Sequence, residues 1–365
     1  MLVLLLVCFL LAKTNITCKA ALRFYLFCLC CMAFFYKPYI TADLYRIFEQ
    51  MDFFSSMDFE LFWTNFAAES SIPLSRFLFW IFGKTGCNHL LPMFSALFCY
   101  YLIFSVIKKT KELYHISNKT VAIVLFFIMT TSMYISVIGG IRMMIALSML
   151  TFSYFRVTVE KKVKLIDVLF FIASIFIHAM SFVVLGIIAL TLIFDSDRNV
   201  LKKIKYVVAI GLISCVFVVR FSSTVQALFE KFLSYVLGDK HSDPWEYLMG
   251  AFIIALLLLV FAEIRSIHRS GDCLDISKYN MAAVFCVILA ICFFFEFSIF
   301  YRFGGHLAVI FALPSIMISL ERSEGRSSVF LKGISLRTVF ILFSCIITLV
   351  SCSRGSLSSL KFFEL

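Results

Sequence analysis

Long runs of apolar residues, separated by short clusters of Lys and Arg, repeat along almost the whole chain. Hydrophobic residues make up 62% of the 365 residues and charged residues only 15%, a composition outside the range of water-soluble domains. Segments that span a bilayer must satisfy their backbone hydrogen bonds internally, which limits them to helices or closed barrels. Because the runs lack the alternating polarity of barrel strands, the sequence predicts an all-α polytopic membrane protein.

The distribution of positive charge predicts the topology. The net charge of +11 does not indicate nucleic-acid binding, because the Lys and Arg residues concentrate in short loops between apolar runs. Cytoplasmic loops of membrane proteins carry such an excess of positive charge. With the basic loops in the cytoplasm, the chain forms a single integral membrane domain (1–365) of about twelve segments. They lie near 2–12, 21–37, 89–107, 120–138, 141–156, 166–178, 181–194, 204–220, 248–263, 279–297, 303–320 and 336–352.

The first segment and the two longer outer loops complete this topology. Segment 2–12 resembles the apolar part of a secretory signal peptide, but it lacks a basic start, which favours an uncleaved segment. The outer, periplasmic loops are 38–88 and 221–247. Within the first loop, residues 72–83 are too few to span a bilayer, so they are expected to form an interfacial or re-entrant helix. Outer loops of this kind can meet a polar substrate.

Several classes of site are absent from the sequence. It contains no phosphate-binding P-loop, no HExxH motif and no paired CxxC motif, which argues against common nucleotide and zinc sites. Most of the thirteen cysteines lie within apolar runs, where they serve as small core residues. We therefore expect no metal and no cofactor, and a function carried out by membrane helices and outer loops.

The segment 165–194 is the most informative stretch for a functional site. It contains 30 apolar-rich residues flanked by basic clusters at both ends. If both ends are cytoplasmic, each arm is about 20 Å long, shorter than the roughly 30 Å hydrocarbon core. The turn at His178 would then lie below the outer surface, at the floor of a water-filled cavity. His178 could act there as a general base, or it could simply hydrogen-bond to a neighbouring helix.

Arg142 follows the glycine pair Gly139–Gly140 at the outer start of segment 141–156. The guanidinium could snorkel to the membrane interface. Alternatively, it could bind an anion, because a guanidinium stays charged and makes bidentate contacts to phosphate oxygens. The positive end of the helix dipole would favour the same anion.

Four further residues are candidate contacts for an anionic, sugar-containing substrate. Arg302 precedes a second glycine pair on the outer side, and Arg220 ends the eighth segment, where snorkelling is also a plain explanation. Asp43 and Tyr45 open the first outer loop and could contact sugar hydroxyls. Asp43 or Thr41 could instead cap the helix that starts there.

The order of these features resembles the Wzy-like polysaccharide polymerases, particularly the EpsG type. The resemblance covers about residues 40–320. It rests on Asp43-Leu44-Tyr45, Glu69 before Pro73, Ile141-Arg142 with Ile145-Ala146, Ala173 with His178 and Ser181, and the late outer Arg302. This sequence departs from the family pattern at Met143, where Gln is common, and at Ser181, which stands one position later than usual.

The resemblance implies an enzyme, a membrane glycosyltransferase that polymerises oligosaccharide repeat units carried on undecaprenyl diphosphate. It implies an O-antigen-type or other surface polysaccharide, assembled at the outer face of the cell inner (cytoplasmic) membrane. A flippase and a chain-length regulator of the same pathway would be its protein partners. In this reading His178 and Arg142 are catalytic, and Arg302, Asp43, Tyr45 and Arg220 bind substrate.

Three other functions remain open on the sequence. A lipid-linked oligosaccharide flippase or other transporter would have a similar number of spans, although its charged residues would be expected near the middle of the membrane. A membrane acyltransferase could also use His and Arg. A polysaccharide ligase performs chemistry so similar to polymerisation that the sequence does not separate the two.

Overall fold

The structure is a computed structural model of the chain. It describes residues 2–13, 17–38, 40, 42–68, 70, 72–131, 133–193, 244–269, 276–294, 296, 300–323 and 335–353. Within these ranges every regular element is a helix and no strand occurs. The predicted all-α architecture is therefore confirmed for the described part of the chain.

The first half begins with two apolar helices and a layer of shorter ones. The helices are α1 (Leu2–Lys13), α2 (Cys18–Phe34), α3 (Asp43–Ser55), α4 (Phe59–Phe62) and α5 (Pro73–Lys84), with a π-helical turn at Trp63–Ala67. Local capping explains two of the starts: the Thr17 hydroxyl accepts from the Ala20 amide at 3.4 Å, and the Asp58 carboxylate accepts from the Leu61 amide at 2.8 Å. Such side chains satisfy amides that have no partner within the helix.

The middle of the chain contains a long helix followed by a bent pair. These helices are α6 (Leu90–Tyr114), α7 (Asn118–Thr130), α8 (Met133–Gly139), α9 (Ile141–Thr158), α10 (Leu165–Ile177) and α11 (Ser181–Ile193). Helices α7 and α8 meet at a bend of 56°. The predicted segment 120–138 is therefore two helices rather than one straight span.

The last described helices are also predominantly apolar. They are α12 (Pro244–Arg269), α13 (Ser277–Cys292), a π-helical segment (Tyr301–Leu307) continued by α14 (Ala308–Arg322), and α15 (Leu336–Ser353). Predicted segment 204–220 lies outside the described residues, as does most of the outer loop 221–247. Each of the other predicted segments coincides with a helix or with the α7–α8 pair.

Helix length supports a membrane protein without fixing the number of spans. By length and composition, three described helices can cross a membrane: Leu90–Tyr114, Tyr247–His268 and Tyr301–Arg322. The bent pair α7–α8 would be a fourth. Other apolar helices, including α1, α10, α11, α13 and α15, have shorter apolar stretches. The figure of about twelve spans stays a prediction.

A network of charged and hydroxyl groups joins three helices at the end of the bundle that carries the basic loops. The Glu321 carboxylate accepts hydrogen bonds from Ser117 at 2.7 Å and from Thr120 at 2.6 Å. The Arg337 guanidinium lies 3.3 Å from the same carboxylate and also donates to Leu320 O and to Thr120 Oγ1, each at 2.7 Å. The start of α7, the end of α14 and the start of α15 therefore lie together, and we call this end the basic end.

At the opposite end, the layer formed by α3, α4 and α5 covers the start of α6. A Cβ added at Gly83 of α5 would lie 2.5 Å from the Met51 carbonyl oxygen of α3, so the two backbones approach more closely than any side chain would allow. Trp80 donates its indole N–H to Met57 O at 3.3 Å. The Asn88 amide, just before α6, donates to Asp52 of α3 at 2.7 Å.

Candidate functional site

Helices α10 and α11 form a hairpin whose two arms return to the same end of α9. The Arg156 guanidinium near the end of α9 pairs with Asp167 near the start of α10 at 2.9 Å. Tyr154, two residues away, hydrogen-bonds to Thr191 near the end of α11. A continuous helix would hold Asp167 and Thr191 about 36 Å apart, so the chain must reverse between them. Each arm is 13 residues, or about 20 Å.

Backbone and side-chain hydrogen bonds hold the turn of this hairpin. The His178 amide donates to Ser174 O at 3.1 Å. The Ser181 hydroxyl donates to the same carbonyl at 2.7 Å, so that Ser174 O accepts two hydrogen bonds at the end of α10. The small residue Ser181 of the sequence motif therefore closes the turn on which His178 lies.

His178 is half-buried, and one of its ring nitrogens is already engaged. The Met180 amide donates to His178 Nδ1 at 3.1 Å. Because an amide N–H can only donate, Nδ1 is an acceptor and the proton of the neutral ring is on Nε2. In this arrangement Nε2 carries the proton, and accepting a further proton at Nδ1 requires the Met180 bond to open.

The packing of α9 against α10 places His178 at the depth of Arg142. Arg156 pairs with Asp167, and the rings of Phe152 and Phe170, one turn further on, lie 6.5 Å apart. The two helices are therefore antiparallel, and moving one turn back along α9 corresponds to moving one turn forward along α10. Continued to the end of α10, this register puts His178 level with the first turn of α9, which contains Arg142.

Arg142 lies beside a tight corner between α8 and α9. The Gly140 amide donates to Ser136 O at 2.8 Å, and a Cβ added at Gly140 would lie 3.0 Å from that oxygen. Packing within the corner thus explains Gly140, whereas a Cβ at Gly139 would meet nothing within 4 Å. Gly139 therefore leaves open the approach of a ligand.

The Arg142 side chain is half-buried and faces charges of both signs. Asp43 at the start of α3 and Arg76 on α5 lie within electrostatic range of it. No other residue in the described part of the chain forms a hydrogen bond or an ion pair within 4.0 Å of its guanidinium. A partly buried guanidinium requires compensation for lost solvation, and an anionic ligand would supply it.

Arg302 lies on the π-helical segment Tyr301–Leu307, which contacts the same corner. His306 Nε2 and the Ser136 hydroxyl of α8 are 2.7 Å apart, and the Tyr301 hydroxyl donates to Thr131 O at 3.3 Å. Arg302 is itself half-buried. The described structure thus connects the elements that carry Arg142 and Arg302, although their sequence positions are far apart.

The remaining predicted substrate contacts, Asp43, Tyr45 and Arg220, differ in exposure and in their partners. Asp43 is exposed and pairs with Arg46 at 3.6 Å, and Tyr45 is half-buried. The N-cap of α3 is Ala42, which makes no side-chain cap bond. Asp43 therefore does not cap the helix; it is the first helical residue, where its charge suits the helix dipole. Arg220 lies outside the described residues.

Three residues at this end were not singled out in the sequence. Arg76, within the predicted interfacial helix, donates to Phe66 O at 2.9 Å and adds positive charge near Arg142. His306 and Ser136 link the two arginine-bearing elements. The only local signal was that His306 directly follows the glycine pair after Arg302; nothing near Ser136 indicated its partner.

The described residues contain no group of His, Cys, Asp and Glu side chains suited to hold a metal ion. A cavity of about 450 Å³ does occur at the basic end, between the start of α2 and the end of α6. Its lining includes Lys19, Lys108, Lys111 and His115. It lies away from the corner at Arg142, and it therefore contributes nothing to that site.

Comparison with protein families decides the classification. The model of the family described as the EpsG family matches residues 45–362, which is most of the chain. The chain belongs to the EpsG family. Membership confirms the resemblance seen in the motifs and indicates a membrane-embedded protein with a polysaccharide-polymerase-type role and glycosyltransferase-like activity. Searches of curated proteins and of solved structures found no match. The description of the site around Arg142 therefore rests on the structure of this chain itself.

Proposed function

We propose that this EpsG-family protein polymerises oligosaccharide repeat units carried on undecaprenyl diphosphate, at the outer face of the cytoplasmic membrane. The growing chain is transferred from its lipid carrier to the non-reducing sugar of a new lipid-linked unit. In this reaction the bond between the anomeric carbon and the diphosphate oxygen breaks, and the acceptor hydroxyl oxygen forms the new glycosidic bond. The departing diphosphate retains the electron pair, and the acceptor proton passes either to His178, once its bond from Met180 has opened, or to the departing diphosphate oxygen.

The observation that carries the proposal is the register of α9 against α10, which puts His178 and Arg142 at one depth. The hairpin brings His178 level with the first turn of α9, and the Arg142 guanidinium has no close partner in the described part of the chain. A fixed cation at the positive end of a helix suits a diphosphate leaving group. Arg302 on the neighbouring π-helical segment can share that charge, and Asp43 and Tyr45 at the start of α3 are available for sugar hydroxyls.

The role of His178 depends on its bond from Met180. With Nδ1 occupied, Nε2–H donates to a substrate oxygen and helps to hold it for transfer. The general-base role predicted from the sequence requires this bond to open. His178→Gln retains a donor near the Nε2 position, whereas His178→Asn retains only an acceptor for the Met180 amide. Substantial activity in His178→Gln alone supports the donor role, and loss of activity in both variants supports the base.

The function is tested by deleting the gene and examining the surface polysaccharide on gels. Loss of the length ladder, with single-repeat material retained, is the result expected for a polymerase. Loss of all polymer-capped material would instead indicate a flippase or a ligase, and an unchanged polysaccharide with altered acylation would indicate an acyltransferase. Either of these two outcomes would overturn the proposal.

The proposed reaction also implies partners within the pathway. A flippase must deliver the lipid-linked repeat unit to the outer face, and a chain-length regulator would set the distribution of product lengths. Co-purification from solubilised membranes tests these associations. When the gene of the regulator is deleted, polymer should still form, but its lengths should no longer cluster around a preferred value.

A further inference from the structure

A hydrogen bond between Ser136 of α8 and the buried His306 joins α8 to the π-helical segment. The His306 side chain is 1% exposed, and its Nε2 lies 2.7 Å from the Ser136 hydroxyl. The two residues are 170 positions apart in the chain. A buried hydrogen bond between distant elements restricts how they can move relative to each other.

Each partner of this bond is close to one of the two candidate phosphate-binding arginines. Ser136 accepts the Gly140 amide on its carbonyl oxygen at 2.8 Å, which sets the corner that leads into Arg142. His306 is four residues after Arg302, within one turn of the π-helical segment, whose hydrogen bonds run from residue i to residue i+5. The Arg302 charge is near enough to act electrostatically on the His306 ring.

The surroundings of His306 hold its ring in one position. The Tyr301 ring packs against it edge-on with centroids 4.7 Å apart, and the Tyr301 hydroxyl bonds to Thr131 O at 3.3 Å. A Cβ added at Gly304 would lie 3.0 Å from the Ile254 side chain of α12. The π-helical segment is therefore fixed against α8 on one side and α12 on the other, and π-helical turns occur frequently at functional sites.

We propose that the Ser136–His306 hydrogen bond is a positioning link that holds Arg302 and Arg142 at the separation needed to bind one diphosphate group together. Neither Ser136 nor His306 touches the ligand. Losing the link leaves both guanidinium groups in place but lets their spacing vary, and two cations engage one diphosphate well only when preorganised. The inference rests on the proposed function in taking a lipid diphosphate as the ligand.

The test is direct binding of undecaprenyl diphosphate and undecaprenyl phosphate to the full-length protein in nanodiscs. Ser136→Ala and His306→Phe are expected to weaken diphosphate binding about tenfold, the size of one net hydrogen bond. Monophosphate binding should change less than twofold, since one guanidinium suffices for it. Ser136→Thr and His306→Gln keep a hydrogen-bonding group and should recover most of the lost affinity.

A double-mutant cycle separates positioning from general loss of structure. In an Arg302→Ala background, Ser136→Ala should weaken diphosphate binding by less than a further twofold, because the residue it positions is gone. A full additional tenfold loss would overturn the proposal. Ser315→Ala is the matched control: it removes a buried hydroxyl on α14, which continues the π-helical segment, where Ser315 donates to Asn280 at 2.8 Å, and it should leave both affinities unchanged.

The outcomes also separate this inference from the proposed function. If Arg142→Ala and Arg302→Ala weaken diphosphate binding while Ser136→Ala and His306→Phe do not, the link is refuted and the arginine site stands. If none of the four variants changes binding, the diphosphate site itself is refuted. Size-exclusion profiles identify any variant that fails to fold, and the Thr and Gln variants then carry the test.

Discussion

Charged side chains have different partners at the two ends of the bundle. At the basic end, Glu321 is bound by two hydroxyls and by Arg337, and the buried Arg156 is paired with Asp167 at 2.9 Å. At the opposite end, no residue in the described ranges lies within ion-pair distance of Arg142 or Arg302. Both ends therefore contain half-buried or buried guanidinium groups, but in the described ranges Arg156 and Arg337 at the basic end are paired with carboxylates, whereas Arg142 and Arg302 are not.

This difference separates charges that hold the fold from charges available to a ligand. A buried charge that is hydrogen-bonded on all sides becomes costly when one partner is removed. A guanidinium without such partners contributes little to stability, and it lowers stability if its desolvation is not repaid. We therefore expect substitutions at the basic end to act on folding, and substitutions at the Arg142 corner to act on function.

The largest effect on stability is expected from breaking the buried pair at the basic end. Asp167 is fully buried, and its side chain also accepts the Lys164 amide at 2.8 Å. Asp167→Asn removes the closer of the two carboxylates paired with Arg156 and leaves only Glu160, at 3.9 Å; it should cost about 3 kcal/mol, seen as a large fall in thermal midpoint and membrane abundance. Asp43→Asn, in an exposed pair, is the matched control and should stay near wild type. Equal effects of the two variants would contradict the comparison.

A smaller but clear effect is expected where α3 and α5 pack backbone to backbone. Gly83→Ala places a methyl group 2.5 Å from Met51 O, and overpacking of this kind costs about 1–3 kcal/mol. Gly139→Ala, with nothing within 4 Å of the added Cβ, is the control. Thermal unfolding of the two purified proteins measures the difference. A Gly83→Ala protein as stable as wild type would show that α3 and α5 pack less tightly than the structure indicates.

Removing the Glu321 charge is expected to destabilise the protein less than Gly83→Ala does. Glu321→Gln retains an oxygen for Ser117 and Thr120 but loses the attraction to Arg337, which should cost about 1 kcal/mol for a partly exposed pair. Glu112→Gln removes a more exposed acid, paired with Lys109 at 2.8 Å, and should change stability less. The comparison fails if the exposed substitution is the more damaging one.

The smallest effect on stability is expected at the proposed site itself. Arg142→Gln removes a charge that has no close partner among the described residues. The free energy of unfolding should therefore change by no more than a neutral surface substitution changes it, about 0.5 kcal/mol. Arg337→Gln at the basic end should destabilise the protein more, because Arg337 donates to Leu320 O, Thr120 and Glu321. A strongly destabilised Arg142→Gln protein would assign Arg142 a structural role.

The sequence predicts the helical elements well because the physical constraints on them are local. Apolar length and the positions of basic clusters define where helices begin and end, and both can be read along the chain. The hairpin at His178 follows from the same signals: the basic clusters at both ends of 165–194 predict that both ends lie on one side of the membrane. The pairing of Asp167 with Arg156 and of Thr191 with Tyr154 confirms the reversal.

The parts of the site that sequence does not predict depend on contacts between distant segments. Ser136 and His306 meet only when the π-helical segment packs on α8, and no periodicity indicates that pairing. The bond from the Met180 amide to His178 depends on side-chain orientation within a three-residue turn. The cap of α3 was assigned to Thr41 or Asp43 on residue preference, whereas the backbone places Ala42 at that position.

The central claim is that Arg142 serves the reaction and not the fold, and one variant tests it directly. In the deletion strain, Arg142→Gln is expressed at the membrane abundance of wild type and the surface polysaccharide is separated on gels. The account predicts a normal amount of folded protein and loss of the length ladder. A normal ladder from the Arg142→Gln protein would contradict it.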